Sequence, residues 1–313
     1  MKTIIETEDL GKSYREVKAV ENLSLKVKEG EIYAFLGLNG AGKTTTIRML
    51  LGMIKPSTGY ADVLNTRVCL GSSKPWEDVG YLVEIPRCYG ELTVRENLEV
   101  ARRLHPGTPQ KAVGDAIERL GLSEYADRRA GNLSQGNAQR LGLAKAMIHS
   151  PKLLFLDEPA NGLDPAGIVE IRELLVELTR EKGMTVFMSS HILAEVARLA
   201  QRIGIIHKGH LLQEMSLDEL ESNRFRRLLV RCENAQAAKQ ALAAEGYSAD
   251  ILPNDEIAMT EAAAVMHPEK INTLLVNSGN APRQLLVEEE ELEKYFLRLV
   301  GMNNEEGKNE QLN

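Results

Sequence analysis

Residues 3–27 alternate apolar and polar positions, with Gly and Lys at the breaks, and this period of two predicts antiparallel strands. Residues 31–37 are an apolar strand that runs straight into a glycine-rich turn, and residues 42–51 follow with a helical pattern. Further on, apolar positions recur at helical spacing over 93–104 and 109–120, with Thr93 and Thr108 as expected N-caps and Pro109 at a first helical position. Ser134 is placed to cap a helix that runs to about His149 and stops before Pro151. Residues 152–157 form a buried type of strand. Asp164 and Pro165 open a long helix to about Lys182, and 184–189 form a second buried strand, followed by a helix from about His191. Strands alternating with helices predict an α/β fold whose mainly parallel sheet is covered on both faces. Antiparallel strands precede it, and the helices over 93–104, 109–120 and 134–149 are inserted in it.

Residues 203–213 read as a hairpin turning near Lys208-Gly209, and beyond Ser216 the pattern changes. A strand (227–232), a helix (235–245), a strand pair (248–252 and 256–260), a helix (267–277) and a strand (283–287) follow, then a closing helix over 292–299. This β-α-β-β-α-β order predicts a small α+β, ferredoxin-like accessory domain over 223–301, after a first domain over 1–222. The polar residues 302–313 are expected to be disordered.

Composition narrows the function. The chain has 313 residues, 43% hydrophobic and 27% charged, with a net charge of -7 from 38 basic and 45 acidic residues. That balance lacks the basic footprint of a nucleic-acid binder, so no nucleic-acid partner is expected. Cys69, Cys88 and Cys232 are odd in number and far apart, which suits free thiols in a reducing compartment. The N-terminal MKTIIETEDL contains no stretch of signal-peptide length, and no apolar run approaches the ~20 residues of a spanning helix. Work at a membrane is therefore expected from its cytoplasmic face, peripherally, through a partner.

The strongest chemical signal is Gly37-Leu38-Asn39-Gly40-Ala41-Gly42-Lys43-Thr44, which fits G-x-x-x-x-G-K-[ST] between a strand and a helix; Thr45 continues it. Glycines let backbone N–H groups turn toward phosphate oxygens, and the helix N-terminus adds a favourable dipole. Lys43 would reach the β and γ phosphates of a nucleotide, and the Thr44 hydroxyl would ligate Mg²⁺. A second signal is Leu153-Leu154-Phe155-Leu156-Asp157-Glu158, an apolar strand with two carboxylates at its end. Asp157 would hold Mg²⁺ through water, and Glu158, on the other side of the strand, would polarise an attacking water.

The class is decided by Leu133-Ser134-Gln135-Gly136-Asn137-Ala138-Gln139-Arg140, just ahead of that strand. It resembles the signature motif of ATP-binding cassette (ABC) proteins, and the resemblance extends in order from residue 3 to about 220. In that family Ser134 and the Gly136 backbone would donate to the γ-phosphate of ATP held by a second cassette. Tyr14 matches the aromatic residue that stacks on adenine, an exposed strand tyrosine being the competing reading. Ala160-Asn161-Gly162-Leu163-Asp164 resembles the loop that links the two active sites, and Ser190-His191 the switch histidine at the γ-phosphate.

Two departures stand out. Cassettes usually carry Gln where this chain has Glu84, and the commonest signature has Gly and Gln at Gln135 and Asn137. A carboxylate at 84 can still accept from a Mg²⁺-bound water and so joins Thr44 and Asp157 as a candidate metal ligand. Its charge near a γ-phosphate is costly unless Mg²⁺ or a base offsets it. Glu84, the LTVREN that follows, NGLDP and the C-terminal domain together resemble the exporter branch with a separate membrane subunit, including bacitracin- and lantibiotic-resistance types. The resemblance implies an ATPase that binds Mg-ATP, pairs with itself or a paralogue, and drives a separate transmembrane permease. A non-transport cassette of translation or DNA repair is the alternative, but those carry two cassettes in one chain or long coiled coils. An unrelated P-loop kinase or GTPase would leave LSQGN, NGLD and His191 unexplained.

Overall fold

The computed structural model describes residues 2–71 and 74–301. Contacts divide them into two compact units, one up to Asp218 and one from Glu219. The expected tail over 302–313 lies outside the described residues.

The first unit opens with the strands β1 (Thr3–Tyr14), β2 (Val17–Leu23) and β3 (Lys26–Lys28), then β4 (Ile32–Leu36), α1 (Lys43–Leu50), β5 (Thr58–Val63), β6 (Thr66–Arg67) and β7 (Val79–Leu82). Three helices follow, α2 (Val94–Arg103), α3 (Lys111–Arg119) and α4 (Gln135–Met147), packed on one another. The chain then returns to sheet and helix through β8 (Leu153–Asp157), α5 (Pro165–Lys182), β9 (Thr185–Ser190), α6 (Leu193–Val196), β10 (Arg202–His207) and β11 (His210–Ser216). Two sheets result. One is antiparallel in the order β2-β1-β5-β6, with β3 also paired to β1; the other runs β11-β10-β4-β9-β8-β7. In the second sheet every pair except β10–β11 is parallel. β4 and β8 are buried along their whole length, as a sheet covered on both faces requires. Phe187 on β9 stacks on Tyr33 at 5.4 Å and meets Phe35 and Phe155 at 5.6 Å, so aromatic rings from three adjacent strands lock the middle of the sheet.

Helix boundaries follow local chemistry where that chemistry is present. Thr93 caps α2 through a reciprocal box: its hydroxyl accepts from Glu96 N–H, and the Glu96 carboxylate accepts from Thr93 N–H. Asp164 caps α5 by accepting from Gly167 N–H, and Gly183 ends that helix in the left-handed conformation. Thr108 does not cap α3. Its carbonyl accepts from Arg102 at 2.9 Å and its N–H donates to His105, so it belongs to the preceding turn and the helix starts at Lys111. The helix expected from His191 is also shorter than its pattern suggests. The Ser190 hydroxyl accepts from Ile192 N–H, which holds 190–192 out of helix, and after α6 the chain tightens into i→i−3 turns.

The second unit follows α7 (Leu217–Asn223), whose length contains the division. It comprises β12 (Arg226–Arg231), α8 (Ala235–Ala244), β13 (Asp250–Ile251), β14 (Ile257–Met259), α9 (Ala262–Met266), α10 (Pro268–Asn277), β15 (Gln284–Glu289) and α11 (Leu292–Leu299). Its sheet runs β13-β14-β12-β15, all antiparallel. Leu228, Val230, Leu242, Ile257, Ile271 and Leu275 form a core that shares no residue with the core of the first unit. The short α9 has no counterpart in the expected order; it buries Ala264 against that core.

Candidate nucleotide site

The site forms where β4, β8, β9 and β7 end, at the carboxyl edge of the parallel sheet, the usual ligand position for such sheets. After β4 the chain turns through residues 37–42 and enters α1 at Lys43. Gly42 has φ +110°, and a Cβ there would lie 2.5 Å from the Ala19 carbonyl; only glycine lets the loop pass so close to β2. Gly37 is pinned by its N–H, which donates to Ser190 O at 3.1 Å, so the loop is fixed to the end of β9.

Lys43 is buried, and its ammonium donates to the Gly37 carbonyl at 2.7 Å and that of Leu38 at 3.3 Å. It also pairs with Glu158 Oε1 at 3.2 Å. Thr44 Oγ1 donates to Asp157 Oδ2 at 2.7 Å, and Ser189 Oγ donates to Asp157 Oδ1 at 2.5 Å. The other Glu158 oxygen sits 2.9 Å from His191 Nδ1. The adjacent carboxylates thus diverge: Asp157 meets hydroxyls, and Glu158 meets an ammonium and an imidazole. Glu158 lies just past the end of β8 with φ +49°, so the strand stops at Asp157 and the chain turns there. Three hydrogen bonds hold that turn: Glu158 N–H donates to Ser189 Oγ, and the Glu158 carbonyl accepts from Asn161 N–H and from Gln139 Nε2.

A cavity of about 210 Å³ beside these groups is lined by Glu158, Asn161, Ser189, His191 and Glu195 among others. Burial pushes the Glu195 carboxyl above its ordinary range, against the lowering pull of His191 and with a smaller push from Glu158.

Other expected site residues lie farther out. Ser134 caps α4, its hydroxyl accepting from Asn137 N–H at 3.3 Å. Gly136 faces Gly162 O and Leu163, and Gly162 faces the Gln135 side chain, so the signature segment packs on the 160–164 loop of its own chain. Tyr14 ends β1 on an exposed hairpin, with Lys12 Nζ 5.0 Å above its ring; the hairpin's second strand brings Ala19 and Val20 against Gly42. Glu84 follows β7 and pairs with Arg48 of α1 at 2.5 Å.

Sequence reasoning missed Ser189, Gln139, Glu195 and Arg48. Ser189 and Glu195 flank the Ser190-His191 pair within a few residues, and Gln139 lies inside the signature segment. Only Arg48 had a signal tied to a specific need, since an acidic residue at 84 calls for a nearby base.

The geometry suits Mg-ATP. Mg²⁺ takes oxygen ligands and keeps several waters, and Thr44 and Asp157 present a hydroxyl and a carboxylate side by side at the start of a helix beneath a glycine loop. Lys43 supplies a positive charge against that loop.

Comparison with known proteins agrees. The family model for ABC transporters matches residues 20–161. The bacitracin transport ATP-binding protein BcrA of Bacillus licheniformis is 38% identical over 301 residues, covering 96% of this chain and 98% of BcrA. The lantibiotic transport ATP-binding protein SrtF of Streptococcus pyogenes is 36% identical over 70% of this chain and 93% of its own length. Among solved structures, a dimeric bacterial ABC transporter cassette, MJ0796, aligns with TM-score 0.65 and 25% identity over 68% of this chain and 99% of that one. Signature, nucleotide geometry and near full-length similarity converge: this chain is an ATP-binding, ATP-hydrolysing subunit of the ABC transporter family.

Proposed function

We propose that the chain hydrolyses Mg-ATP at an interface shared with a second cassette and drives export through a separate transmembrane permease. The observation that carries this reading is the split of the site. Lys43, Thr44, Asp157, Glu158 and His191 are linked at the sheet edge, whereas Gly136 packs on the 160–164 loop and Ser134 caps α4. The γ-phosphate donors of the signature segment then serve a nucleotide on another chain, itself or a paralogue.

The contacts support the following roles. The backbone of residues 37–45 cradles the phosphates, and the Lys43 ammonium leaves Glu158 to bind the β and γ groups. Thr44 directly, and Asp157 and Glu84 through water, would hold Mg²⁺, which would supply positive charge against the phosphates. Glu158 accepts the proton of the attacking water, and His191, 2.9 Å away, orients that carboxylate. Tyr14 stacks on the base.

Among the described residues no helix is long and apolar enough to cross a membrane; similarity to transport ATP-binding proteins supports a peripheral subunit at the cytoplasmic face. The BcrA and SrtF relatives support the exporter branch. The antiparallel order β13-β14-β12-β15 and the separate core support a ferredoxin-like accessory domain over 223–301 behind a cassette over 1–222. The 94–147 helices support a helical subdomain at about 86–150.

The test is direct. Lys43→Ala should fold and lose most of its affinity for Mg-ATP by calorimetry, and wild-type protein should co-purify from membranes with a multi-span protein that stimulates its ATPase. Unchanged ATP affinity in folded Lys43→Ala rejects the site; a cassette that never associates with a membrane protein rejects the exporter reading.

A further inference from the structure

Three carboxylates reach the same sheet edge. The pairing of Leu82 with Leu156 aligns the ends of β7 and β8, so Glu84 emerges beside Asp157 and Glu158. Each is matched by a side chain of one helix: Asp157 by Thr44, Glu158 by Lys43 and Glu84 by Arg48. Thr44 and Arg48 stand four residues apart on α1, one turn of the same face. The first two matches belong to the phosphate-loop motif. The third does not.

We propose that Arg48 is a positioning residue that neutralises Glu84 and aims it, so that a carboxylate can occupy this place beside a bound triphosphate. The inference rests on the reading of Mg-ATP at the phosphate loop. The Arg48 and Glu84 side chains are 38% and 49% exposed, and a pair so open to water adds little to folding stability. What the pair changes is the field at the site. An anionic triphosphate is repelled by a bare carboxylate at the end of β7 and much less by one already paired with a guanidinium at 2.5 Å. The pair also gives direction. Glu84 has φ +60°, a conformation a non-glycine residue keeps only when its surroundings hold it, and the contact with α1 is such a hold. A glutamine at 84 would need no base, so Arg48 matters only while residue 84 is acidic.

This conditional dependence is what a double-mutant cycle measures. Wild type, Arg48→Met, Glu84→Gln and the double variant are titrated with Mg-ATP by calorimetry at low and high salt, and their KM and kcat are measured. Arg48→Met keeps the apolar stem and removes the charge; Arg48→Gln serves if the Met variant is misfolded. The expected result is a Kd and KM raised about three- to tenfold by Arg48→Met at low salt, shrinking as salt rises, with kcat little affected. In the Glu84→Gln background the same substitution should change Kd by less than about twofold. Arg48→Lys should recover most of the loss. An equal loss in both backgrounds would overturn the proposal, since Arg48 would then act on nucleotide or fold by itself; no loss in either would overturn it too. Lys43→Ala, run beside them, separates the two failures: if it binds Mg-ATP normally the nucleotide site itself is misassigned, and if it does not, an additive cycle counts against Arg48 alone.

Discussion

Replacing Glu158 with Gln tests the chemistry and the assembly together. The side chain is only 20% exposed, and its backbone is held by Ser189, Asn161 and Gln139, so an amide of the same shape should occupy the same place. It cannot take the water's proton. A positioned general base contributes about 10²–10⁴ in rate, or roughly 3–5 kcal/mol of barrier, and phosphate release should fall by that factor. Binding should move the other way. In the free protein the Lys43 ammonium is shared between Glu158 and two loop carbonyls. Removing the carboxylate frees a phosphate ligand, worth roughly 1 kcal/mol or up to about fivefold in Kd. With turnover blocked and binding intact, the signature helix of one chain should stay closed on ATP held by the other. Light scattering with Mg-ATP should then show a dimer, with the permease present if the isolated cassette pairs poorly. Adding Ser134→Arg should break that dimer by placing bulk where a γ-phosphate donor belongs. Normal phosphate release from Glu158→Gln would refute the base assignment, and an undiminished dimer in the double variant would remove Ser134 from the interface.

Other outcomes follow from particular contacts. Tyr14→Ala should raise Kd for ATP and GTP together by about fivefold, and Tyr14→Phe by less than about twofold; calorimetry reporting wild-type affinity for the Ala variant would favour a merely exposed strand tyrosine. A chain ending after Asn223 should fold and bind Mg-ATP, because the cores of the two units share no residue; a folded truncation that binds none would disprove that independence. His149 is held neutral in the fold: burial lowers it from 6.5 to about 4, with a further push from His105, which stacks on it at 3.7 Å, against the raising pull of the bond its Nε2 donates to the Val79 carbonyl. The unfolded chain therefore binds this proton first, so stability present above pH 6.5 is lost as pH falls toward 4. Solvent screening leaves about 1–2 kcal/mol for this group, and denaturant melts of His149→Gln should show an acid limb flatter by that amount.

Local chemistry was legible in the chain. The glycine-lysine-threonine run, the carboxylates after an apolar strand, the Thr93 capping box and both ends of α5 are specified by residues within a few positions of one another. Their energetics are those of a turn, a cap or a strand end, which need no distant partner. Thr108 marks the limit of that logic, since a guanidinium one helix earlier claimed the carbonyl of a residue that looked like a cap. Tertiary structure alone decided the strand order, in which β4 lies between β9 and β10 although about 150 residues separate them in sequence, because pairing is set by which buried faces meet. That order brings Ser189 under Asp157, Gln139 under the Glu158 carbonyl and Arg48 onto Glu84. The sequence by itself determined which atoms could hold and cleave a nucleotide. Only folding decided which side chains hold those atoms still, because hydrogen bonds and ion pairs act over a few ångströms of space, whatever the separation along the chain.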